Sequence, residues 1–127
     1  MNYLLDTQTA IWLYEGNESL SAEAVALIKN PAANVSISIA SAWEIAIKIN
    51  IGKLQLEGGV SQFIADSEKY GFNIEPIRER HLSEVETLPL HHRDPFDRMI
   101  IATAIAEDMA VITSDDAFRK YAVKLAL

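Results

Sequence analysis

The chain contains no cysteine, which excludes a disulfide framework and any thiolate metal site. Its four prolines and five glycines are scattered, and no low-complexity segment, internal repeat or Pro/Ser-rich linker breaks the 127 residues. One domain with one core is the expectation for residues 1–127. Apolar runs are interrupted well short of the ~18 residues that a membrane helix needs, so nothing is expected to span a membrane. The opening MNYLLDTQTA lacks a basic n-region and a long apolar stretch, so no signal peptide is expected and the cytoplasm is the expected compartment.

Basic residues are the minority, 11 against 18 acids, for a net charge of −7. Nucleic-acid binders usually carry a basic patch, and this balance argues against one. Net charge is blind to position, however. A cluster of acids that holds divalent cations would lower the pI and still leave a basic rim for phosphates. What is present is a globular composition, 50% hydrophobic and 23% charged.

The pattern alternates strands and helices. Strands are predicted over Asn2–Leu5, Asn34–Ile39, Phe72–Ile77 and Ala110–Thr113, with a last one over Ala122–Leu127. Helices are predicted over Thr7–Tyr14, Ala22–Lys29 (capped by Ser21), Ala40–Ile51, Val60–Tyr70, Glu79–Thr87 and Pro95–Asp108, with a short one over Asp116–Tyr121. Strands separated by helices imply an α/β fold, a mostly parallel β-sheet flanked by helices on both faces. In such a fold the helix N-termini that adjoin strands lie at the carboxyl edge of the sheet, where open α/β sheets bind ligands.

Four acids are predicted to reach that edge. Asp6 follows the first strand, and Glu44 lies in the first turns of the helix after NVSISI. Asp97 lies in the first turn of the helix over MIIATAIA, and Asp115 follows the strand after it. Each has an ordinary explanation. Asp6 can cap the helix behind it, Glu44 pairs with Lys48 at i,i+4, and Asp115 or Asp116 can begin the last short helix. Asp94-Pro95-Phe96-Asp97 is a helix start, with Asp94 as cap and Pro95 in the first position. Together these explanations weaken. Two carboxylates ~4 Å apart repel by roughly 4 kcal/mol at an effective dielectric of 20. A cluster of four needs protons or cations, and oxygen ligands suit Mg²⁺ or Mn²⁺.

The segments LLDT (4–7), SAWEIAIK (41–48), HRDPFDRMIIATA (92–104) and ITSDDAF (112–118), in that order, resemble the PIN-domain ribonucleases, most of all the VapC-type toxins of toxin–antitoxin pairs. The resemblance covers essentially the whole chain. It implies a divalent-metal-dependent nuclease that hydrolyses RNA and leaves a 5′-phosphate, a small antitoxin partner that blocks the site, and a homodimer. Carried over by position, Asp6, Glu44 and Asp97 match three acids of the family and Asp115 the fourth, with Asp116 beside it as the alternative. Asp94 stays a helix cap. The metal would be held by Asp6, Asp97 and Asp115. Glu44 holds a second metal, acts as base or orients a water. Thr7, Thr113 and Ser114 are candidate supporting donors.

Around these acids, Lys48, Lys53, Arg93, Arg98, Arg119 and Lys120 are the bases placed to meet phosphates, and each is also an ordinary surface residue. His81, His91 and His92 show no metal-ligand spacing and are read as structural. Trp12 and Trp43 are read as core or interface. The apolar helices Ala10–Tyr14 and Trp43–Ile51 offer a dimer or antitoxin surface. The same fold also serves RNA processing without an antitoxin. From other classes, a phosphoacceptor signalling domain wants a paired Asp near the first strand and a late Lys, but Asp6 stands alone and Lys120 and Lys124 are poorly placed. A haloacid-dehalogenase-like phosphatase wants an Asp where Gln8 stands. A non-catalytic binding module would not require all four acids.

Overall fold

A computed structural model describes all 127 residues. The elements run β1 (Asn2–Leu5), α1 (Thr7–Glu15), α2 (Ala22–Lys29), β2 (Asn34–Ser38), α3 (Ile39–Asn50), α4 (Gly59–Tyr70), β3 (Asn73–Glu75), α5 (Glu79–Thr87), α6 (Pro95–Glu107) and β4 (Ala110–Ile112), then a 3-10 turn at Asp116–Lys120. The strands form one sheet in the order β3-β2-β1-β4. Every pairing is parallel, with Leu5 opposite Ile37 on one side and Ile112 on the other.

The period-2 alternation of the strands sends side chains to two separate cores. Tyr3, Leu5, Val35, Ile37, Ala110 and Ile112 pack on one face against Ala10 and Ile11 of α1, Ala24 and Ile28 of α2, Ile45 of α3 and Phe63 of α4. Leu4 and Val111 point to the other face and meet Ile100, Ile101 and Ala104 of α6, with Leu88, Phe118 and Tyr121. The small apolar stretch of α6 is therefore core. Ile100, Ile101 and Ala102 are fully buried, and alanines in this run let the helix lie close to the sheet.

Local chemistry sets the element ends. Ser21 and Ser38 accept backbone N–H groups at the starts of α2 and α3. Capping by Ser38 begins α3 at Ile39, so β2 ends one residue earlier than the alternation of NVSISI suggests. Gly16 closes α1 with φ 66°, a left-handed conformation that glycine adopts without a Cβ clash. Pro76 has no N–H for a ladder, and β3 shrinks to Asn73–Glu75. Asp108 takes the left-handed cap position at φ 55°, ending α6 at Glu107.

The predicted last strand, Ala122–Leu127, does not form. The segment makes one parallel bridge, Val111 to Leu125, through Val111 N–H to Lys124 O (2.8 Å) and Ala126 N–H to Val111 O (2.9 Å). The physical reason is that β4 is only three residues long, and its central residue is all that the tail has to pair with.

Successive strands move outward from β1 to β2 to β3, and then α5 and α6 carry the chain back past β1 to β4. Strand order thus reverses at the β1/β4 seam. The carboxyl end of that seam is the crevice in which open α/β sheets bind ligands.

Candidate metal centre

Asp6 sits at the end of β1, 4% exposed, and both of its carboxylate oxygens are engaged. Oδ1 accepts the Thr9 N–H at 2.8 Å and so caps α1, and Oδ2 accepts the Thr113 hydroxyl at 2.5 Å. The cap role and the position at the seam coexist in one residue.

Glu44, in the second turn of α3, is held differently. Its Oε2 lies 3.3 Å from Lys48 Nζ, whereas Oε1 is buried and accepts no hydrogen bond. A carboxylate oxygen out of water without a partner is costly, and such an atom calls for a cation or a proton donor.

Asp97 lies in the first turn of α6. Asp94 caps that helix, accepting from Phe96 N–H (2.8 Å) and Asp97 N–H (3.2 Å), with Pro95 in the first helical position. This start aims the Asp97 carboxyl into the crevice, where its pKa is pushed up from 3.8 to about 7. Burial is the main cause. The Asp94 charge adds to it, the His92 ring opposes, and Asp6 and Glu44 add further repulsion. Asp6 and Glu44 therefore lie near enough for Asp97 to feel both charges, with Asp94 as an additional neighbouring charge.

Asp115 follows β4 and starts the 3-10 turn, Oδ1 accepting the Ala117 N–H at 2.9 Å. Its backbone N–H donates to Thr113 Oγ1 at 3.0 Å, and its Oδ2 lies 3.2 Å from His92 Nε2. Asp116, the alternative, points outward with a side chain 95% exposed, near Arg119 at 3.5 Å. The geometry sets Asp115, not Asp116, beside Asp97.

The reading of the histidines divides. His81 is fully buried, accepting from Arg78 N–H at Nδ1 (3.1 Å) and facing Glu107 Oε2 at Nε2 (2.8 Å), a structural histidine. His91 packs edge-on against Tyr121. His92 is different: its Nε2 lies 3.0 Å from Asp97 Oδ2 and 3.2 Å from Asp115 Oδ2, a contact with two of the candidate acids that the structural expectation did not include. Sequence reasoning missed it because no regular ligand spacing marks it. The available signal was weaker: a His two residues ahead of an Asp-Pro helix start shares the sheet edge with that start.

Several expected contacts are committed elsewhere. Arg98 donates to the carbonyls of Leu88 (3.2 Å), Pro89 (2.8 Å) and His92 (3.4 Å) and to the Tyr121 hydroxyl (3.3 Å), which makes it a clasp on the loop rather than a phosphate contact. Thr7 donates to Ser41 Oγ at 2.9 Å. Trp43 is 60% exposed, touching Phe96 edge-to-face, so it is surface rather than core.

Residues 3–124 match the PIN domain family, and the chain belongs to it. No curated protein matches the chain. Among solved structures, it is similar to a chain of VapBC2 from Rickettsia felis bound to a DNA fragment from its promoter, with a TM-score of 0.72 and 17% identity over 98% of this chain and 96% of that one. VapBC-1 from nontypeable Haemophilus influenzae gives a TM-score of 0.66 and 20% identity over 94% and 91%. A toxin–antitoxin complex from Klebsiella pneumoniae gives 0.61 and 22% over 89% and 86%. At these identities the likeness is one of fold.

Proposed function

We propose that this PIN domain is a divalent-metal-dependent endoribonuclease and the toxin of a toxin–antitoxin pair. The observation that carries the reading is the unpartnered, buried Glu44 Oε1, whose charge is felt at Asp97, a carboxyl pushed up to about 7 by burial first and by neighbouring acids second. Both features are what an oxygen-ligand cation site looks like with its charge uncompensated, and the donor set fits Mg²⁺ or Mn²⁺. Asp6, Glu44, Asp97 and Asp115 would hold the ion. Bound there, it supplies positive charge against the phosphodiester oxygens as one of them becomes a leaving group.

The chain's own residues do the rest. Thr9 N–H and the Thr113 hydroxyl fix the Asp6 carboxylate, so it costs little reorganisation to use it. Asp97, with a pKa of about 7, is poised to give up its proton to a bound cation at neutral pH, and the unpartnered Glu44 Oε1 would take either that cation or a water that it holds. Lys53, Arg93, Arg119 and Lys120 are left to meet RNA phosphates.

Likeness to VapBC complexes supports an antitoxin as partner. No helix is long and apolar enough to cross a membrane, and the proposed site of action is the cytoplasm. Exposed Ile39, Trp43 and Ile47 on α3 and Ile51 at its C-cap recur every four residues, an apolar stripe suited to a second copy of the chain in a homodimer.

The test is cleavage of a mixed RNA pool by the purified, partner-free protein in Mn²⁺, beside the same protein in EDTA and Asp97→Asn. Expected is cleavage that requires the metal and falls by about 10²–10³-fold in the variant, the scale of losing one preorganised electrostatic group. Equal cleavage by both proteins would overturn the assignment.

A further inference from the structure

We infer that His92 is a positioning residue of this centre and not one of its metal ligands: its Nε2–H ties the Asp97 and Asp115 carboxylates together. The metal consequence rests on the proposed function, whereas the tautomer of the ring does not.

Taken by proximity alone, His92, Asp97 and Asp115 form a ligand-like group, with donor atoms all within 4.8 Å of one another. The other side of the ring decides otherwise. His92 Nδ1 lies 3.1 Å from the backbone nitrogen of Asp94, which can only donate. Nδ1 must therefore present its lone pair, and the neutral ring carries its hydrogen on Nε2. That hydrogen bonds Asp115 Oδ2 at 3.2 Å, and Asp97 Oδ2 lies 3.0 Å from the same nitrogen. For Nε2 to ligate a cation, the hydrogen would have to move to Nδ1 and confront the Asp94 N–H, donor against donor. The helix start that aims Asp97 thus also fixes the tautomer of His92.

The ring is held in place by the core. His92 N–H donates to the Tyr121 hydroxyl at 2.7 Å, Arg98 holds the His92 carbonyl, and the ring stands edge-on to the fully buried Phe118. Asp115 needs such a tether. Its side chain is 42% exposed, and with Oδ1 taken by the Ala117 N–H, His92 is what orients Oδ2.

The experiment is a long-range ¹H–¹⁵N correlation of imidazole nitrogens in the ¹⁵N-labelled, metal-free protein, with the His92 signals assigned by their loss in His92→Gln. Expected is a protonated Nε2 and an unprotonated Nδ1, with the Nε2 signal shifting in Asp115→Asn. A protonated Nδ1, or an Nε2 signal indifferent to Asp115→Asn, overturns the inference. Mn²⁺ affinity, read by electron paramagnetic resonance, supplies the second arm. Expected is affinity weaker by about tenfold in His92→Ala, the low end for losing a partner that orients a ligand, and largely restored in His92→Gln, whose amide donates from near the Nε2 position. Unchanged affinity in a folded His92→Ala overturns the positioning role, and His92→Gln binding as weakly as His92→Ala overturns the exclusion of ligation. No Mn²⁺ binding by the unaltered protein removes the metal centre instead, and the ring tautomer then decides the His92 inference alone.

Discussion

The Thr113 hydroxyl donates to Asp6 Oδ2 across 2.5 Å and accepts the Asp115 N–H at 3.0 Å. One side chain at the end of β4 thereby links two acids that stand 109 positions apart in sequence, at the seam where strand order reverses. Thr113→Val keeps the shape and removes the hydroxyl, leaving a buried carboxylate oxygen one partner short. A loss of about 1–3 kcal/mol in urea unfolding is expected, with most of it recovered in Thr113→Ser.

Asp97 makes the metal-free protein sensitive to base. Its folded pKa, about 7, lies above its ordinary 3.8, so between these values the folded state binds more protons than the unfolded one. Stability in EDTA should fall as pH rises from about 4 to about 7 and level off above that. Asp97→Asn removes the penalty. At about pH 8 the variant should be more stable than the unaltered protein by up to a few kcal/mol, since each pKa unit is worth about 1.4 kcal/mol, and the two should converge near pH 4. Urea midpoints in EDTA at the two pH values check this, and a variant that is less stable at pH 8 would count against it.

Glu107 works in the opposite direction. The Arg80 guanidinium, hydrogen-bonded to it, and then the His81 ring hold its carboxyl down to about 2 against an ordinary 4.5. A depressed carboxylate contributes stability that is present above pH 4.5 and is lost as pH falls toward 2. Glu107→Gln should therefore be less stable at neutral pH, and the gap should close on acidification. A gap that widens in acid, measured by the same unfolding midpoints, would contradict the assignment.

The α3 stripe makes a prediction about mass. Ile47 is exposed, one turn beyond Trp43, and Ile47→Glu places a charge in the middle of the proposed contact between copies. Light scattering should give a dimer for the unaltered protein and a monomer for the variant, with unchanged far-ultraviolet circular dichroism. A monomer in both cases removes the dimer reading.

The sheet and its carboxyl edge were legible because each strand alternates or runs apolar between clear helix stops, and a parallel order then dictates which ends share an edge. The Asp94-Pro95 start could be read for the same reason: capping chemistry is local. His92 was not legible, because its partners Asp97 and Asp115 are set by a loop that Arg98 clasps through three carbonyls and the Tyr121 hydroxyl. No spacing in the chain encodes that loop. The same contact withdrew Arg98 from the bases expected to meet RNA. The tail beyond Tyr121 has the composition of a strand, yet a three-residue β4 leaves it almost nothing to pair with.

The most direct measurement is Mn²⁺ binding by the purified protein, read by electron paramagnetic resonance, beside Glu44→Gln and Asp97→Asn. Saturable binding by the unaltered protein, at least tenfold weaker in either folded variant, is the predicted result. Absence of saturable binding by the unaltered protein, or equal binding by all three, would contradict the claim that this carboxylate cluster is built around a cation.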